Sequence, residues 1–163
     1  MHMDFLWSPW RASYIANSQP LNGCVFCELA REISPESDAE RFLLYRGARS
    51  FVVLNLYPYT TGHMLIAPYE HISLVADAEK SITDEIMDLA KRAQAALLAE
   101  YHPEGFNLGM NLGRAAGAGV ADHFHLHVLP RWNGDTNFTT TVGETRVLPE
   151  GLADTFRRLK SYF

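Results

Sequence analysis

The chain has 163 residues, 47% hydrophobic and 20% charged, which is enough apolar material for one domain with a full core. A formal net charge of −5 argues against a broad basic surface that grips nucleic acid, while a small anionic ligand can still be held by a local site. No apolar run approaches the ~18 residues that span a bilayer, and the opening MHMDFLWSPWR lacks the apolar stretch and small-residue cleavage site of a secretory signal, so a cytoplasmic protein without membrane contact is expected.

Residues 1–23 are rich in aromatics and turn formers, among them Trp7, Pro9, Trp10, Tyr14, Pro20 and Gly23, and read as an arm packed on the body without regular structure. CVFCELAREI (24–33) predicts a short helix and SPESDAE (34–40) a solvated loop. RFLLYRG (41–47) and SFVVLNLY (50–57) predict two strands, PYTTG (58–62) a turn, and HMLIAPY (63–69) a third strand. From Ser81 to Tyr101, Ile82, Ile86, Leu89, Ala93, Leu97 and Tyr101 recur at intervals of three and four, one apolar stripe on a helix of about five turns. Ser81 with Asp84 resembles a capping box at its start.

In GFNLGMNLG (105–113), Phe106, Leu108, Met110 and Leu112 alternate with Asn107, Gly109, Asn111 and Gly113, which predicts a strand with an apolar face and an open polar one. The loop RAAGAGVAD (114–122) leads into a histidine-bearing strand, and GLADTFRRLKSYF (151–163) predicts a closing helix. Strands dominate the middle and one long helix interrupts them, so an α+β protein with an antiparallel sheet is expected rather than βαβ repeats. The expected organisation is a single domain over 1–163, with arm 1–23, core 24–150 and C-terminal helix 151–163.

His123, His125 and His127 occupy every second position of DHFHLHVLPRW (122–132). On a strand such positions share one face, about 7 Å apart, while Phe124, Leu126 and Val128 enter the core. Three partly exposed histidines on an amphipathic strand would need no function, although strict alternation disfavours this. H-x-H on a strand can hold zinc, but the lack of an obvious nearby carboxylate and the Gly/Ala-rich loop before it weaken a site using all three. Covalent catalysis on phosphorus is the third reading, because neutral imidazole is a good nucleophile near pH 7 and a neighbouring histidine can protonate a departing phosphate.

The only two cysteines, Cys24 and Cys27, form one C-x-x-C, which in a reducing compartment reads as half a metal site or a redox pair. The spacing lets two thiolates share a tetrahedral zinc, with the other ligands drawn from a distance. Two buried free thiols are an alternative, and a redox dithiol a weaker one, since no thioredoxin-like βαβ pattern surrounds the pair.

His123-Phe-His125-Leu-His127, followed by Val128 and Leu129, resembles the motif of the histidine triad (HIT) family. PRWNGDTNF (130–138) and WSPWR (7–11) are similar to its diadenosine tetraphosphate phosphorylase branch, and the resemblance covers roughly residues 7–150. It implies a HIT-like fold with a five-stranded antiparallel sheet, one long helix and a C-terminal helix, assembled as a homodimer or higher homo-oligomer. It implies His125 as nucleophile toward the α-phosphate and His127 as aid to the leaving group or to charge balance, with no cofactor in the chemistry. Asn55, eight positions before His63 in LNLYPYTTGH, matches a ribose contact, and Asn111 a partner of phosphate or leaving group. Gly113, Gly117 and Gly119 can offer backbone N–H groups to phosphate with Arg114 nearby, although a plain connector fits the same residues.

Many relatives carry a Ser or Thr hydroxyl shortly before the triad, where this chain has Gly119, Val120 and Ala121, so that contact must come from backbone or elsewhere. Bacterial triad proteins and the related galactose-1-phosphate uridylyltransferases complete a C-x-x-C zinc site with histidines matching His71 and His123. Such a zinc is structural and would hold His123, the first of the triad, out of the chemistry. The implied activity is nucleotidyl transfer on nucleoside polyphosphates, with dinucleoside tetraphosphate phosphorolysis foremost. Hydrolysis of a dinucleoside polyphosphate or nucleoside phosphoramidate is the alternative, since some transferases and phosphorylases of the family carry Gln where this chain ends its triad on His127. Rivals of other classes are a nucleotide-binding sensor with slow catalysis and a metalloenzyme using all three histidines.

Overall fold

The computed structural model describes residues 23–31, 34–142 and 148–163. The expected arm therefore lies outside the described residues except for Gly23, and WSPWR lies there with it. In chain order the elements are α1 (Val25–Arg31), α2 (Pro35–Glu40), β1 (Leu43–Arg46), β2 (Ser50–Leu54), β3 (Met64–Pro68), α3 (Lys80–Tyr101), β4 (Gly105–Gly109), β5 (Leu126–Arg131), α4 (Phe138–Thr141) and α5 (Leu152–Lys160). The strands form one sheet in the order β1-β2-β3-β5-β4, antiparallel at every pairing. The expected α+β architecture, with five antiparallel strands, a long helix and a C-terminal helix, is the one observed. No described helix is long and apolar enough to cross a membrane.

Covered faces explain the unbroken apolar runs of β2 and β3, which are buried at every residue. On one face Val52, Leu54, Met64, Ile66, Phe124, Leu126 and Val128 meet the stripe of α3, Ile82, Ile86, Leu89, Ala93 and Leu97, with Leu159 of α5 closing the layer. On the other, Leu43, Phe51, Val53, Leu65 and Ala67 pack under Phe26 and Leu29 of α1. Leu65 stands opposite His127 in the β3–β5 register, so that histidine projects onto the α1 side of the sheet.

Four expectations change. SPESDAE is helix α2, not a loop: Ser34 caps it by accepting the Ser37 N–H at 3.0 Å, and Pro35 fills the first turn where no N–H is needed. The helix then delivers Asp38 to Arg46, which also donates to the Leu29 carbonyl at 2.9 Å and ties α1, α2 and β1 together. The box at Ser81 does not form, because Glu79 is the cap residue of α3 and Ser81 already lies in the first turn, with its hydroxyl on Glu79 and Asp84 paired to Lys80. β5 begins at Leu126 rather than before His123. Its partner β3 ends at Pro68, which has no N–H for the ladder, and Phe124 N–H turns aside to the Ile72 carbonyl at 2.8 Å.

The same break shortens β4. Gly109 opposite His127 is its last paired residue, so Met110 to Gly113 leave the strand, and Leu108 and Leu112 stay 39% and 37% exposed. Asn111 therefore does not sit on a strand's polar face.

The β2–β3 turn closes at Gly62, whose φ of +79° belongs to the left-handed region and whose missing Cβ would lie 2.7 Å from Leu97 Cδ2 in the core. Gly62→Ala is expected to lower unfolding free energy by about 1–3 kcal/mol through backbone strain and overpacking. Urea titration checks this, and an unchanged midpoint would show that the turn tolerates a side chain.

Candidate active site

Helix α1 follows Cys24 and carries Cys27 one turn on, with the Glu28 N–H closing that turn on the Cys24 carbonyl at 3.1 Å. The two thiols face His71, just beyond β3, and His123, at the approach to β5. Cys24 Sγ lies 3.3 Å from His123 Nδ1, Cys27 Sγ 3.2 Å from His71 Nδ1 and 3.7 Å from His123 Nδ1. All four donor atoms lie within 4.8 Å of one another, a cluster that can hold a metal ion. His123 Nε2–H donates to the Pro68 carbonyl at 2.9 Å, which leaves the Nδ1 lone pair directed at the sulfurs. Burial pushes His123 down to about 4, against the opposing effect of the Pro68 bond, so the ring is neutral at pH 7. Burial likewise raises the Cys27 thiol, with Cys24 adding to the effect.

The second and third histidines hold opposite tautomers. His125 Nδ1–H donates to the His123 carbonyl at 3.0 Å, so Nε2 carries the lone pair. Its side chain is buried, and burial depresses its pKa despite that bond, keeping the ring neutral with its lone pair on Nε2. For His127 the sequence of donors runs the other way. The Tyr59 N–H, which can only donate, reaches His63 Nδ1 at 3.2 Å, so His63 carries its proton on Nε2. His63 Nε2 lies 2.9 Å from His127 Nδ1 and donates to it, which puts the proton of a neutral His127 on its Nε2. The rings of His125 and His127 are 4.9 Å apart between centroids. The two neighbouring rings thus carry opposite tautomers, a lone pair on one Nε2 and an N–H on the other, a pairing suited to nucleophilic attack with hydrogen-bond donation to a leaving group.

Of the sequence-predicted residues, the structure brings His123, His125, His127, His63 and Asn55 together, and Cys24, Cys27, His71 and His123 together. Asn55 uses both ends of its amide within the β2–β3 turn, Oδ1 accepting the Tyr57 N–H at 3.0 Å and Nδ2 lying 3.2 Å from His63 Nδ1. Asn111 and Gly113–Gly119 lie on the connection between β4 and β5, where Gly113 and Gly117, with φ of +81° and +84°, flank a 3-10 turn over Arg114–Ala116. Arg114 and Gly119 are exposed there.

Sequence reasoning missed two aromatics. Phe26, between the cysteines, packs its ring 4.8 Å from His125 and 5.2 Å from His123. Its spacing from Leu29 was the available signal, since both mark the inward face of α1. Tyr59 stacks on His127 at 6.0 Å and 11°, a contact across 68 residues that no local pattern announces.

A five-stranded antiparallel sheet with a long helix on one face and a buried row of three alternating imidazoles on the other defines a class of protein, one that presents histidine chemistry at the start of a central strand. The HIT domain family model matches residues 36–134, and the chain belongs to that family. It is 39% identical to the AP-4-A phosphorylase of Mycobacterium tuberculosis (strain ATCC 25618 / H37Rv) over 158 residues, 94% of this chain and 81% of that protein. Among solved structures, a Zn-bound histidine triad family protein from Mycobacterium smegmatis superposes with a TM-score of 0.68 at 29% identity, covering 86% of this chain and 93% of the other. A HIT family protein from Bacillus anthracis gives a TM-score of 0.60 at 26% identity, covering 86% and 92%.

The depressed His123 and His125 make stability depend on pH with a definite sign. The unfolded chain protonates these rings as pH falls below about 6.5, before the folded one does, so their contribution is complete above that pH and declines as pH falls, for His123 down to about 4. In chelator-treated protein the urea midpoint is expected to fall across this window, and less steeply in His123→Asn. Identical slopes in the two proteins would contradict the assignment.

Proposed function

We propose that the protein is an enzyme of nucleotidyl transfer that cleaves dinucleoside polyphosphates through a nucleotidyl-His125 intermediate, with phosphorolysis of a dinucleoside tetraphosphate as its reaction. The observation that carries this reading is the opposed pair of tautomers, a lone pair on His125 Nε2 beside a proton on His127 Nε2. His125 Nε2 attacks the α-phosphorus and the bond to the bridging oxygen breaks; the departing phosphate leaves as its anion, its oxygen receiving a hydrogen bond from His127 Nε2–H. In the second half an anionic oxygen of inorganic phosphate attacks the same phosphorus, and the bond to His125 Nε2 breaks to return the neutral ring. The 39% identity to an AP-4-A phosphorylase supports both the substrate class and phosphate as acceptor.

In this reading Asn55 lies beside the bound ribose. Asn111, Arg114 and the backbone at Gly113, Gly117 and Gly119 serve the phosphate chain in place of the absent Ser or Thr hydroxyl. A homodimer is supported by β4, an edge strand of the sheet that leaves Leu108 exposed, and a reducing cytoplasm by two free cysteines set against imidazoles.

The metal of the cluster is read as zinc. Tetrahedral zinc with bonds of about 2.0–2.3 Å holds its ligand atoms about 3.3–3.8 Å apart, close to the 3.2, 3.3 and 3.7 Å separations here. A Zn-bound relative of the same fold supports the choice. Zinc bound there supplies a cross-link between α1, the segment after β3 and the approach to β5, and no step passes through it.

His125→Ala is expected to retain at most about 1% of turnover while keeping the fold, because the nucleophile contributes to the barrier rather than to the core. Labelled diadenosine tetraphosphate should leave an acid-labile adduct on the wild type and none on the variant, and substantial turnover by the variant would remove the covalent mechanism. Adding millimolar phosphate should speed cleavage and shift the adenylate product from monophosphate to diphosphate; monophosphate and triphosphate at every phosphate concentration would make the enzyme a hydrolase.

Metal analysis of protein purified without chelator should find about one zinc per chain, and Cys24→Ser should lower the melting temperature, since the binding energy of a structural zinc contributes to folding. Metal-free protein with an unchanged melting temperature would remove the zinc.

A further inference from the structure

Asn55 is read above as a ribose contact, yet its amide is already committed on the protein side, and the direction of each bond can be assigned. The Tyr57 N–H is a donor only, so the atom that receives it at 3.0 Å is the carbonyl Oδ1, and the amide nitrogen is the end that faces His63 Nδ1 at 3.2 Å. The Tyr59 N–H, also a donor only, meets the same Nδ1 at 3.2 Å. His63 Nδ1 is therefore an acceptor twice over. One donor is fixed by the backbone of the β2–β3 turn, and the other belongs to a side chain that the same turn orients.

We propose that Asn55 is a positioning residue for the leaving-group side of the triad: its Nδ2–H, aimed by the Tyr57 N–H, joins the Tyr59 N–H in keeping His63 Nδ1 an acceptor, so that His63 carries its proton on Nε2 and His127 carries its own on the opposite nitrogen, Nε2. The relay runs Asn55 Nδ2–H to His63 Nδ1 and His63 Nε2–H to His127 Nδ1, and in the chemistry proposed above it makes His127 Nε2–H the hydrogen-bond donor to the departing oxygen. Each ring accepts on one nitrogen and donates from the other, so reversing the first bond reverses the polarity of the whole chain. The catalytic consequence rests on the triad chemistry proposed above, whereas the tautomers can be measured without any substrate.

Asn55→Asp and Asn55→Ala separate this role from a ribose contact. The carboxylate of Asn55→Asp still receives the Tyr57 N–H, but it turns an acceptor toward His63 Nδ1. At mildly alkaline pH the charge-assisted bond to the carboxylate outweighs the single Tyr59 N–H at this nitrogen, so a neutral His63 places its proton on Nδ1, accepts through Nε2, and forces His127 to donate from Nδ1, with a lone pair left on His127 Nε2. Asn55→Ala only removes a donor, and the Tyr59 N–H keeps the original tautomer.

The probe is the ring 15N shifts of His63 and His127 in substrate-free protein, assigned with His63→Gln and His127→Gln controls. In the wild type both residues should show an acceptor-type Nδ1 and a protonated Nε2. Asn55→Ala should keep that pattern, with His63 Nδ1 moved toward the unbonded acceptor value, and Asn55→Asp should show a protonated His63 Nδ1. A protonated Nδ1 on wild-type His63, an unmoved resonance in Asn55→Ala, or an unmoved resonance in a folded Asn55→Asp would each overturn the proposal.

Kinetics give the second reading. Asn55→Asp should lower kcat by about tenfold or more for substrates with poor leaving groups, and less for activated ones, with KM changed little. A change confined to KM, with the 15N shifts unmoved, would return Asn55 to a ribose contact alone. If the wild type turns over no dinucleoside polyphosphate while the tautomers are as stated, the functional reading fails and the positioning stands.

Discussion

The hydrogen bond from His123 Nε2–H to the Pro68 carbonyl sets the arrangement of everything near it. It fixes the tautomer of a fully buried ring, and with it the direction of the Nδ1 lone pair toward Cys24 and Cys27. Pro68 can accept this bond at the end of β3 because a proline has no N–H to continue the ladder, and the strand opposite is released there. The released segment, His123 to His125, is where backbone and side chains serve the site instead of the sheet. The His123 carbonyl, turned away from the ladder, receives His125 Nδ1–H at 3.0 Å.

The row of imidazoles is built on backbone partners whose direction admits no choice. The Tyr59 N–H donates to His63 and sets its tautomer, His63 donates to His127, and the His123 carbonyl, an acceptor, sets His125 in the opposite sense. Phe26 on one side and Tyr59 on the other cover these rings, and burial lowers the pKa of both His123 and His125. A neutral His125 in a covered site is what the proposed chemistry needs, a nitrogen able to attack beside an N–H that can bond the departing oxygen.

Much of this was legible in the chain. The stripe from Ile82 to Tyr101 and the apolar runs of β2 and β3 follow from periodicity, and the alternation of His123, His125 and His127 placed the imidazoles opposite the core-facing Phe124, Leu126 and Val128. The C-x-x-C suggested half a metal site, and the family resemblance supplied the two histidines that lie beside it. Two misreadings passed over local signals, the Ser34-Pro35 start of α2 and the Glu79 cap ahead of Ser81, whereas the strand ends were set by segments far away in sequence. Asp38 in a charged stretch became part of a helix that serves Arg46, and the alternation after Gly109 met no partner because β5 had already left the ladder. Phe26 and Tyr59 entered the site through packing across long sequence separations, which composition does not encode.

The division of labour within His123 has an evolutionary consequence. Its side chain belongs to the sulfur-imidazole cluster, while the group that orients His125 is its backbone carbonyl, which every amino acid possesses. A lineage can therefore exchange the first histidine, and with it dissolve the sulfur-imidazole cluster, without deleting the acceptor on which the second histidine depends. The cost falls on the anchoring of α1, so descendants that drop the cluster must secure Phe26 against the sheet by other contacts. Divergence at the first position of the motif is thus permitted on stability terms, whereas the second has no backbone substitute for its ring.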